Sequence, residues 1–168
     1  MAKGFISSRG LPPESVSYID ATGGIITTYQ DGSTFYKSHT FTSSGTFTVN
    51  SLGTANNELD YLIIAGGGGG GANRGGGGGA GGYRTTVGTS GGNSSAESKI
   101  TATAQSYTIT VGAGGAGVSD SNLKGENGNN SQFSGVISTG GGGGGSKDNR
   151  NALDGGSGGG GGYTGNKG

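Results

Sequence analysis

Two short segments contain residue types that bind nucleotides in other proteins, but each lacks part of the motif. The segment Asp60-Tyr-Leu-Ile-Ile-Ala65 leads into glycines, like a strand that feeds a dinucleotide-binding loop. That loop needs a following helix and an acidic residue about 20 positions later. Here a second glycine run follows, and threonines occupy the later position. Glycines 140–145 with Ser146 and Lys147 displace the lysine of a phosphate loop by one position. We therefore expect no nucleotide site.

Residues that could bind a metal or transfer a proton are scattered along the chain. Residues 114–120 differ by one residue from a calcium-binding β-helix repeat, and this partial match occurs once in the sequence. Residues 120–125 carry a lysine at a position where an EF-hand-like loop needs an oxygen ligand. A solvated Asn/Gly loop is the simpler interpretation. His39 is the only histidine and has no cysteine or nucleophile-elbow serine to act with. Glu58 and Asp60 have the spacing of a solvated strand edge. We expect no catalytic residue, cofactor or metal, and no enzyme.

The charge balance argues against nucleic acid and membrane partners. Ten basic and ten acidic residues give a net charge of zero, and the pI is near 6.5, so there is no basic footprint for nucleic acid or anionic lipid. The arginine-glycine pairs are isolated, unlike RNA-binding repeats. No apolar stretch near Met1 resembles a signal peptide, and no later run is long enough to span a bilayer. We expect synthesis in a cytoplasm, no nucleic acid partner and no membrane insertion.

Two glycine-run cassettes, which share the same order of glycine runs and tips, are the elements that would position any binding residues of the chain. The first consists of residues 61–65, six glycines (66–71), the tip 72–74, five glycines (75–79) and Tyr83. The second consists of residues 136–139, six glycines (140–145), the tip 146–154, glycines 158–162 and Tyr163. Because both order and run lengths repeat, they indicate a repeated structural unit.

Ordered glycine requires a physical explanation, since 45 of the 168 residues are glycine and glycine loses the most backbone freedom on folding. A flexible linker is the alternative, but the segments between the runs are rich in strand-forming residues. Polyglycine in the polyproline-II conformation rises about 3.1 Å per residue, so six residues span about 19 Å, close to a typical strand. Without Cβ atoms, such helices can exchange backbone hydrogen bonds worth about 1 kcal/mol each. We infer a packed bundle of glycine helices flanked by strands, with the tips as exposed turns.

The predicted fold is all-β, an antiparallel β-sandwich-like domain with packed polyglycine-II runs. Residues 1–22 are predicted to be an arm, residues 23–57 a β-hairpin region and residues 58–168 the glycine-rich domain. The predicted strands cover residues 25–29, 34–41, 46–49, 59–65, 83–87, 98–103, 105–111 and 132–137. The candidate core consists of Phe35, Phe41, Phe47, Val49, Leu62, Ile64, Ile109, Val111 and Phe133. This core is small for the length, since 27% of residues are hydrophobic, which favours oligomerisation, with a cyclic trimer as the predicted state.

The order of these motifs resembles the glycine-rich domain of bacteriophage tail fibres and related virion proteins. The resemblance rests on residues 40–49 (TFTSSGTFTV), Tyr61-Leu-Ile-Ile-Ala65 with its glycines, Gly81-Gly-Tyr83, and residues 107–115 (YTITVGAGG). It implies a virion structural protein, often trimeric, which in some phages recognises the host. Family members commonly end on an apolar strand after the last glycine run, whereas this sequence ends Tyr163-Thr-Gly-Asn-Lys-Gly168.

From this resemblance we expect a tail fibre or adhesin-type protein located in the virion and involved in host-cell attachment. Residues 1–22 would contact other virion proteins, and the partner on the host would be a surface glycan or an outer-membrane component. The alternatives are a capsid-decorating surface protein without a receptor role and, from another class, a secreted polyglycine ice-binding or matrix protein.

Polar residues at the tips and nearby aromatics are the candidate receptor-binding residues. Tyrosine stacks on sugars, while Asn, Asp and Arg supply directional hydrogen bonds. The alternative is that these residues only turn the chain between runs. The candidates are Asn73, Arg74, Tyr83, Lys147, Asp148, Asn149, Arg150 and Tyr163.

Overall fold

Short antiparallel strands and extended glycine-rich segments make up the protein. The computed structural model describes residues 17–32, 34–54, 56–149 and 151–163. Its strands are β1 (Asp20–Thr22), β2 (Ile25–Asp31), β3 (Thr34–Thr40), β4 (Gly45–Ser51), β5 (Glu58–Leu59), β6 (Leu62–Ile64), β7 (Tyr83–Thr85), β8 (Thr89–Ser90), β9 (Ser94–Ser95), β10 (Ile100–Thr101), β11 (Ser106–Thr110), β12 (Ser131–Phe133) and β13 (Val136–Ser138). A single 3-10 turn, Gly91–Asn93, interrupts them within the described residues. The predicted all-β, antiparallel class is confirmed.

A five-stranded antiparallel sheet in the order β1-β4-β11-β12-β13 forms the body of the domain. The alternation of apolar and polar residues in β4 buries Phe47 and Val49 on one face, because successive side chains of a strand point to opposite faces. In the neighbouring β11, Tyr107 lies opposite Phe47, and the ring centroids are 6.1 Å apart. These strands therefore supply one wall of the core.

The core closes when residues of the smaller sheets pack on that wall. Ile63 of β6 and Ala102 join Phe47, Tyr107 and Phe133 in one buried cluster. The Phe47 and Phe133 rings meet edge to face at 6.2 Å, an arrangement that aromatic pairs favour. Leu59, Tyr61 and Ile100 pack against the cluster from the β5–β10 side.

Three residues of the predicted core are exposed instead. β6 turns Ile63 inward, so its neighbours Leu62 and Ile64 point outward with 60% and 61% of their surface accessible. Phe35 is 69% exposed because it lies on the β2–β3 ribbon, away from the cluster. Within the prediction, Phe47, Val49 and Phe133 are buried, while Phe41 and Ile109 are partly buried against the core.

The β2–β3 ribbon is a two-stranded sheet that pairs with no other strand in the described part of the chain. Its register runs from Ile25 opposite Thr40 to Asp31 opposite Thr34. Tyr29 and Tyr36 face each other across it and stack with centroids 5.0 Å apart. Every residue of β2 is exposed.

Two of the predicted strands are each two strands in the structure. The predicted strand 132–137 is a tight hairpin, since Ser134 and Gly135 have positive φ (47° and 85°), the conformation of a two-residue type I′ turn. The predicted strand 59–65 is two separate strands, β5 and β6. Of the predicted arm, residues 1–16 lie outside the described residues, and β1 pairs with β4 at the edge of the main sheet.

Candidate functional site

Within the described residues, seven extended segments run side by side to form a bundle, and most continue directly from a strand of the domain. We name them PG1 to PG7. PG1 (66–71) follows β6, PG2 (75–82) precedes β7, PG3 (112–118) follows β11, PG4 (125–130) precedes β12 and PG5 (140–145) follows β13; PG6 (151–156) and PG7 (157–163) complete the set. Because consecutive segments leave the sheets and return to them, the turns between them collect at the end of the bundle away from the sheets.

Hydrogen bonds between neighbouring segments recur at every third residue. Ala65, directly before PG1, donates to Gly82 of the antiparallel PG2 at 3.0 Å; within PG1, Gly68 donates to Gly79 and Gly71 donates to Gly76, at 2.8 and 2.9 Å. No glycine of these runs has a positive φ. A three-residue period with bonds only between segments is the geometry of polyglycine II, so the predicted packing of the glycine runs is present.

PG5 is the buried centre of the bundle, and each N–H and carbonyl of residues 140–145 is hydrogen-bonded. Residues three apart contact the same neighbour: the N–H groups of Gly141 and Gly144 donate to Gly66 and Gly69 of PG1, both at 2.8 Å. The remaining backbone partners come from PG2, PG4, PG6 and PG7, namely Gly76, Gly79, Gly125, Gly128, Leu153, Gly156, Ser157 and Gly160. PG5 has no side chains, so its own N–H and carbonyl groups make all the hydrogen bonds that hold it in place.

Two asparagine side chains complete the bonding of PG5. The Asn127 amide oxygen accepts the Gly143 N–H at 2.8 Å, and the Asn130 amide oxygen accepts the Gly140 N–H at 2.9 Å. PG4 carries both asparagines three residues apart, so they lie on the same face of a three-residue helix. At Gly140 and Gly143, an asparagine amide oxygen of PG4 therefore takes the place of a backbone carbonyl as the acceptor.

Close packing requires glycine on the inward faces of the segments and tolerates other residues outside. A Cβ at Gly68 would meet the carbonyl of Gly142, and one at Gly142 would meet the carbonyl of Leu153. At Gly67 the nearest atom would be 3.6 Å away, and at Gly77 nothing lies within 4 Å. In PG1 and PG2 the requirement for glycine therefore follows the helical period, whereas in the buried PG5 a Cβ at any of residues 140–144 would meet a backbone carbonyl.

PG3 and PG4 are bundle members that the sequence analysis assigned to Gly/Asn loops. Their signal is glycine at every third position, at Gly112 and Gly115 and at Gly125 and Gly128. A Cβ at any of these would meet a backbone carbonyl of the adjacent segment. The intervening residues face outward or supply amides, so an uninterrupted glycine run is unnecessary.

At the far end of the bundle, the first and second tips touch each other. The Ala72 N–H donates to the fully buried Ser146 hydroxyl oxygen at 2.6 Å, and the Lys147 N–H donates to the Ala72 carbonyl at 3.2 Å. The turn between PG3 and PG4 joins them, since the N–H groups of Asp148 and Asn149 donate to the Ser121 carbonyl at 3.1 and 3.3 Å. These three turns form one continuous surface, which we call the tip surface.

The structure brings most of the predicted site residues to the tip surface. Arg74 lies over the Tyr163 ring, 5.7 Å from its centroid, and its carbonyl accepts the Tyr163 N–H at 3.1 Å. Asn73 and Arg74 adopt positive φ values of 50° and 62°, which turn the chain. Tyr83 lies at the other end of the bundle, in β7 opposite Ile64. Arg150 lies outside the described residues.

The sequence analysis missed two contributors to the tip surface. Asn122 lies in the turn between PG3 and PG4, and its carbonyl accepts the Asn149 side-chain N–H at 3.1 Å. Asp120 accepts both the backbone and side-chain N–H of Asn122, at 2.9 and 3.1 Å. This is the segment with the calcium-like spacing, and its aspartate closes a local turn. No group of three or more His, Cys, Asp or Glu suited to a metal occurs among the described residues.

His39 and Asp60, two titratable residues outside the tip, have structural partners. The ring nitrogen Nδ1 of His39 lies 2.8 Å from the Gly23 carbonyl, and its ring packs edge-on against Phe47 at 5.0 Å. Burial acts to raise the pKa of Asp60, but hydrogen bonds from Lys99 and Thr86 outweigh it and hold that pKa below its usual value. Within the described residues, no helix has the length and apolar character needed to cross a bilayer.

Comparison with known proteins identifies the glycine-rich part of the chain. A family model described as a glycine-rich domain matches residues 42–168. This match begins between β3 and β4 and includes the whole bundle. No curated protein and no solved structure gave a significant match.

Proposed function

The chain belongs to the glycine-rich domain family, and we propose that it is a structural protein of a bacteriophage virion, a tail fibre or adhesin-type protein that takes part in host-cell attachment. The phage assignment rests on the ordered motifs between residues 40 and 115. The chain assembles with itself as a trimer, and residues 1–22 contact other virion proteins. Its site of action is the surface of the particle.

The observation that carries the attachment role is the placement of the tip surface. Three turns with polar side chains lie together at the end of the bundle away from the sheets, fixed to one another by hydrogen bonds such as Ala72 to Ser146. The fully bonded PG5 beneath them gives a support with little freedom to move. A rigid scaffold with exposed loops is a common arrangement for recognition, because the loops vary while the scaffold keeps them in place.

The chemistry of the tip surface fits a carbohydrate or a polar segment of an outer-membrane component. Tyr163 offers a ring face with Arg74 above it, and tyrosine supplies apolar area with a polar hydroxyl at low entropy cost. Asn73, Lys147 and Asp148 are exposed and provide donors and acceptors of both charge signs. Such a mixed surface suits hydroxyl-rich ligands better than a polyanion, which selects clustered arginine or lysine.

Immunogold imaging of intact particles tests the virion assignment. Antibody to this chain should label projections from the tail, with three-fold symmetry in averaged images. Label spread over the capsid would support the capsid-decorating alternative, and particles without label would contradict the proposal.

Competition for adsorption tests the attachment role separately. Purified protein should compete with particles for host cells, and the double variant Arg74→Ala/Tyr163→Ala should lose at least tenfold in potency at unchanged thermal stability. The matched control is Ala113→Ser, an exposed position on the side of the bundle, which should compete like the parent. Equal potency of all three proteins would remove the Arg74–Tyr163 pair from the binding surface.

A further inference from the structure

Asn127 is followed by Gly128, and this is the only Asn–Gly pair in the sequence. An asparagine before glycine deamidates spontaneously with unusual ease, because glycine has no side chain to hinder attack of its backbone nitrogen on the asparagine amide. The reaction requires that nitrogen to reach the side-chain carbon Cγ. The reactivity of the pair therefore depends on the hydrogen bonds that the fold gives to these two groups.

The bundle engages both reacting groups of this pair. The Gly128 N–H donates to the Gly141 carbonyl of PG5 at 2.8 Å, and Gly128 is buried. The Asn127 amide oxygen accepts the Gly143 N–H at 2.8 Å, and the Asn127 amide nitrogen donates to the Asp154 carbonyl at 3.1 Å. Asn127 itself is exposed to solvent, so these hydrogen bonds, and not exclusion of water, keep its side chain from turning onto the Gly128 nitrogen.

We propose that Asn127 is a modification site that reacts when PG4 is detached from PG5 and is protected in the closed bundle. Hydroxide removes the Gly128 N–H proton, and the nitrogen attacks Cγ of Asn127. The bond from Cγ to the side-chain nitrogen breaks, that nitrogen takes up a proton and leaves as ammonia, and a cyclic imide remains. Water then opens the imide at one of its two carbonyls. The product is either an aspartyl residue or an isoaspartyl residue, in which the main chain runs through the former side-chain carbonyl.

The two products have different consequences for the bundle. An aspartyl residue keeps an oxygen acceptor for the Gly143 N–H and loses the donor to the Asp154 carbonyl. An isoaspartyl residue adds one carbon atom to the main chain between positions 127 and 128. Gly125 and Gly128 both donate to PG5 because they are three residues apart in a three-residue helix, and the extra atom removes that spacing.

An isoaspartyl chain therefore cannot seat PG4 against PG5, and a copy that stays open too long loses the ability to form the bundle. This chemistry is independent of the attachment role and of the virion assignment, so neither depends on its outcome.

Peptide mapping by mass spectrometry tests the protection. The full chain is kept at mildly alkaline pH, in buffer and in unfolding concentrations of urea, and deamidation at Asn127 is followed with time. It should be at least tenfold slower in buffer, because reaction of the folded chain requires PG4 to open. Equal rates in buffer and urea would contradict the protection, and an unreactive Asn127 in urea would contradict the site.

Two variants show whether the bundle is the source of the protection. Gly142→Val places a side chain against the Leu153 carbonyl and should raise the rate in buffer towards the rate in urea. The matched control is Gly77→Ala, where a Cβ meets open space, and it should react like the parent. A Gly142→Val variant that is unfolded by circular dichroism and yet as slow as the parent would overturn the proposal.

Refolding of aged chains tests the block on the bundle. Chains aged in urea are returned to buffer and separated by size exclusion, and their isoaspartyl content is measured by enzymatic methylation. Isoaspartyl residues at position 127 should be enriched at least tenfold in the fraction that fails to fold, since close packing leaves no room for the added atom. Asn127→Asp, which matches the other product, should refold. Isoaspartyl chains that refold like the parent would overturn the block, and failure of Asn127→Asp to refold would attribute the loss to charge and contradict it as well.

Discussion

The hydroxyl oxygen of Ser146 accepts the backbone N–H of Ala72 at 2.6 Å, and the Ser146 side chain is fully buried. This contact joins the turn after PG1 to the turn after PG5, two segments separated by 74 positions in the chain. The two glycine cassettes are therefore fixed to each other at the tip as well as along their length.

Replacing Ser146 with alanine should lower the free energy of unfolding by about 1–3 kcal/mol, since it leaves a buried N–H unpaired. The control is Ser138→Ala. The Ser138 hydroxyl is buried and has no hydrogen-bond partner among the described residues, so its removal should be neutral or slightly stabilising. Urea unfolding of both variants gives the comparison, and equal losses would contradict the assigned roles.

Glycine at position 68 should be indispensable, while glycine at position 77 should not. Gly68→Ala places a Cβ against the Gly142 carbonyl and should cost about 2 kcal/mol or more, as overpacking does in cores. Gly142→Val should cost more, because the segment it belongs to is surrounded. Gly77→Ala meets open space and should be neutral or stabilise by up to about 1 kcal/mol through the unfolded state.

Thermal and denaturant unfolding of the glycine variants decides between a packed bundle and plain loops. Mild and equal effects at positions 68, 77 and 142 would show that the runs do not pack as described.

The side-chain amide of Asn127 should contribute more to the free energy of unfolding than the volume of that side chain does. Asn127→Leu removes the acceptor for the buried Gly143 N–H and should cost about 1–3 kcal/mol. Asn127→Asp keeps the acceptor but loses the side-chain N–H that donates to the Asp154 carbonyl at 3.1 Å, so it should cost less than Asn127→Leu at neutral pH. Chemical denaturation of the two variants checks this, and an unaffected Asn127→Leu would exclude the amide as a support of PG5.

The ion pair between Asp60 and Lys99 should make a small, pH-dependent contribution. Their atoms lie 2.9 Å apart, with both side chains more than 40% exposed, so Asp60→Asn should cost less than about 1 kcal/mol. The pKa of Asp60 is lowered in the folded state. Its stabilisation is therefore present above the unfolded pKa of about 3.9 and is lost as pH falls through the folded value. Unfolding of parent and variant near pH 7 and near pH 2 should converge at the acid end.

The repeated glycine runs could be assigned to polyglycine II from the sequence because run length matches strand length and nothing but backbone is available to bond. PG3 and PG4 were not predicted as bundle segments because they lack an uninterrupted glycine run. In a helix with three residues per turn, one glycine in three is enough when only one face is crowded. The exposed Leu62 and Ile64 were misassigned because a three-residue apolar strand does not itself show which alternate set points inward.

The positions of the tip residues could not be predicted from the sequence for a different reason. Arg74 and Tyr163 are 89 positions apart, and only the alignment of PG2 with PG7 places them together, at 5.7 Å. Tyr83 follows a glycine run just as Tyr163 does, yet its run leads back towards the sheets. The direction in which a segment runs along the bundle depends on how the segments pair. This direction decides at which end of the bundle a residue lies.

Amide hydrogen exchange of the glycines in PG5 tests the central claim most directly, namely that a backbone-bonded glycine bundle supports the tip surface. The N–H groups of Gly141 and Gly144 should be protected to an extent similar to that of Val49 in the main sheet, whereas Asn73 in the tip should exchange quickly. Exchange of Gly141 and Gly144 at the rate of an unstructured chain would contradict the bundle and, with it, the rigid support proposed for host attachment.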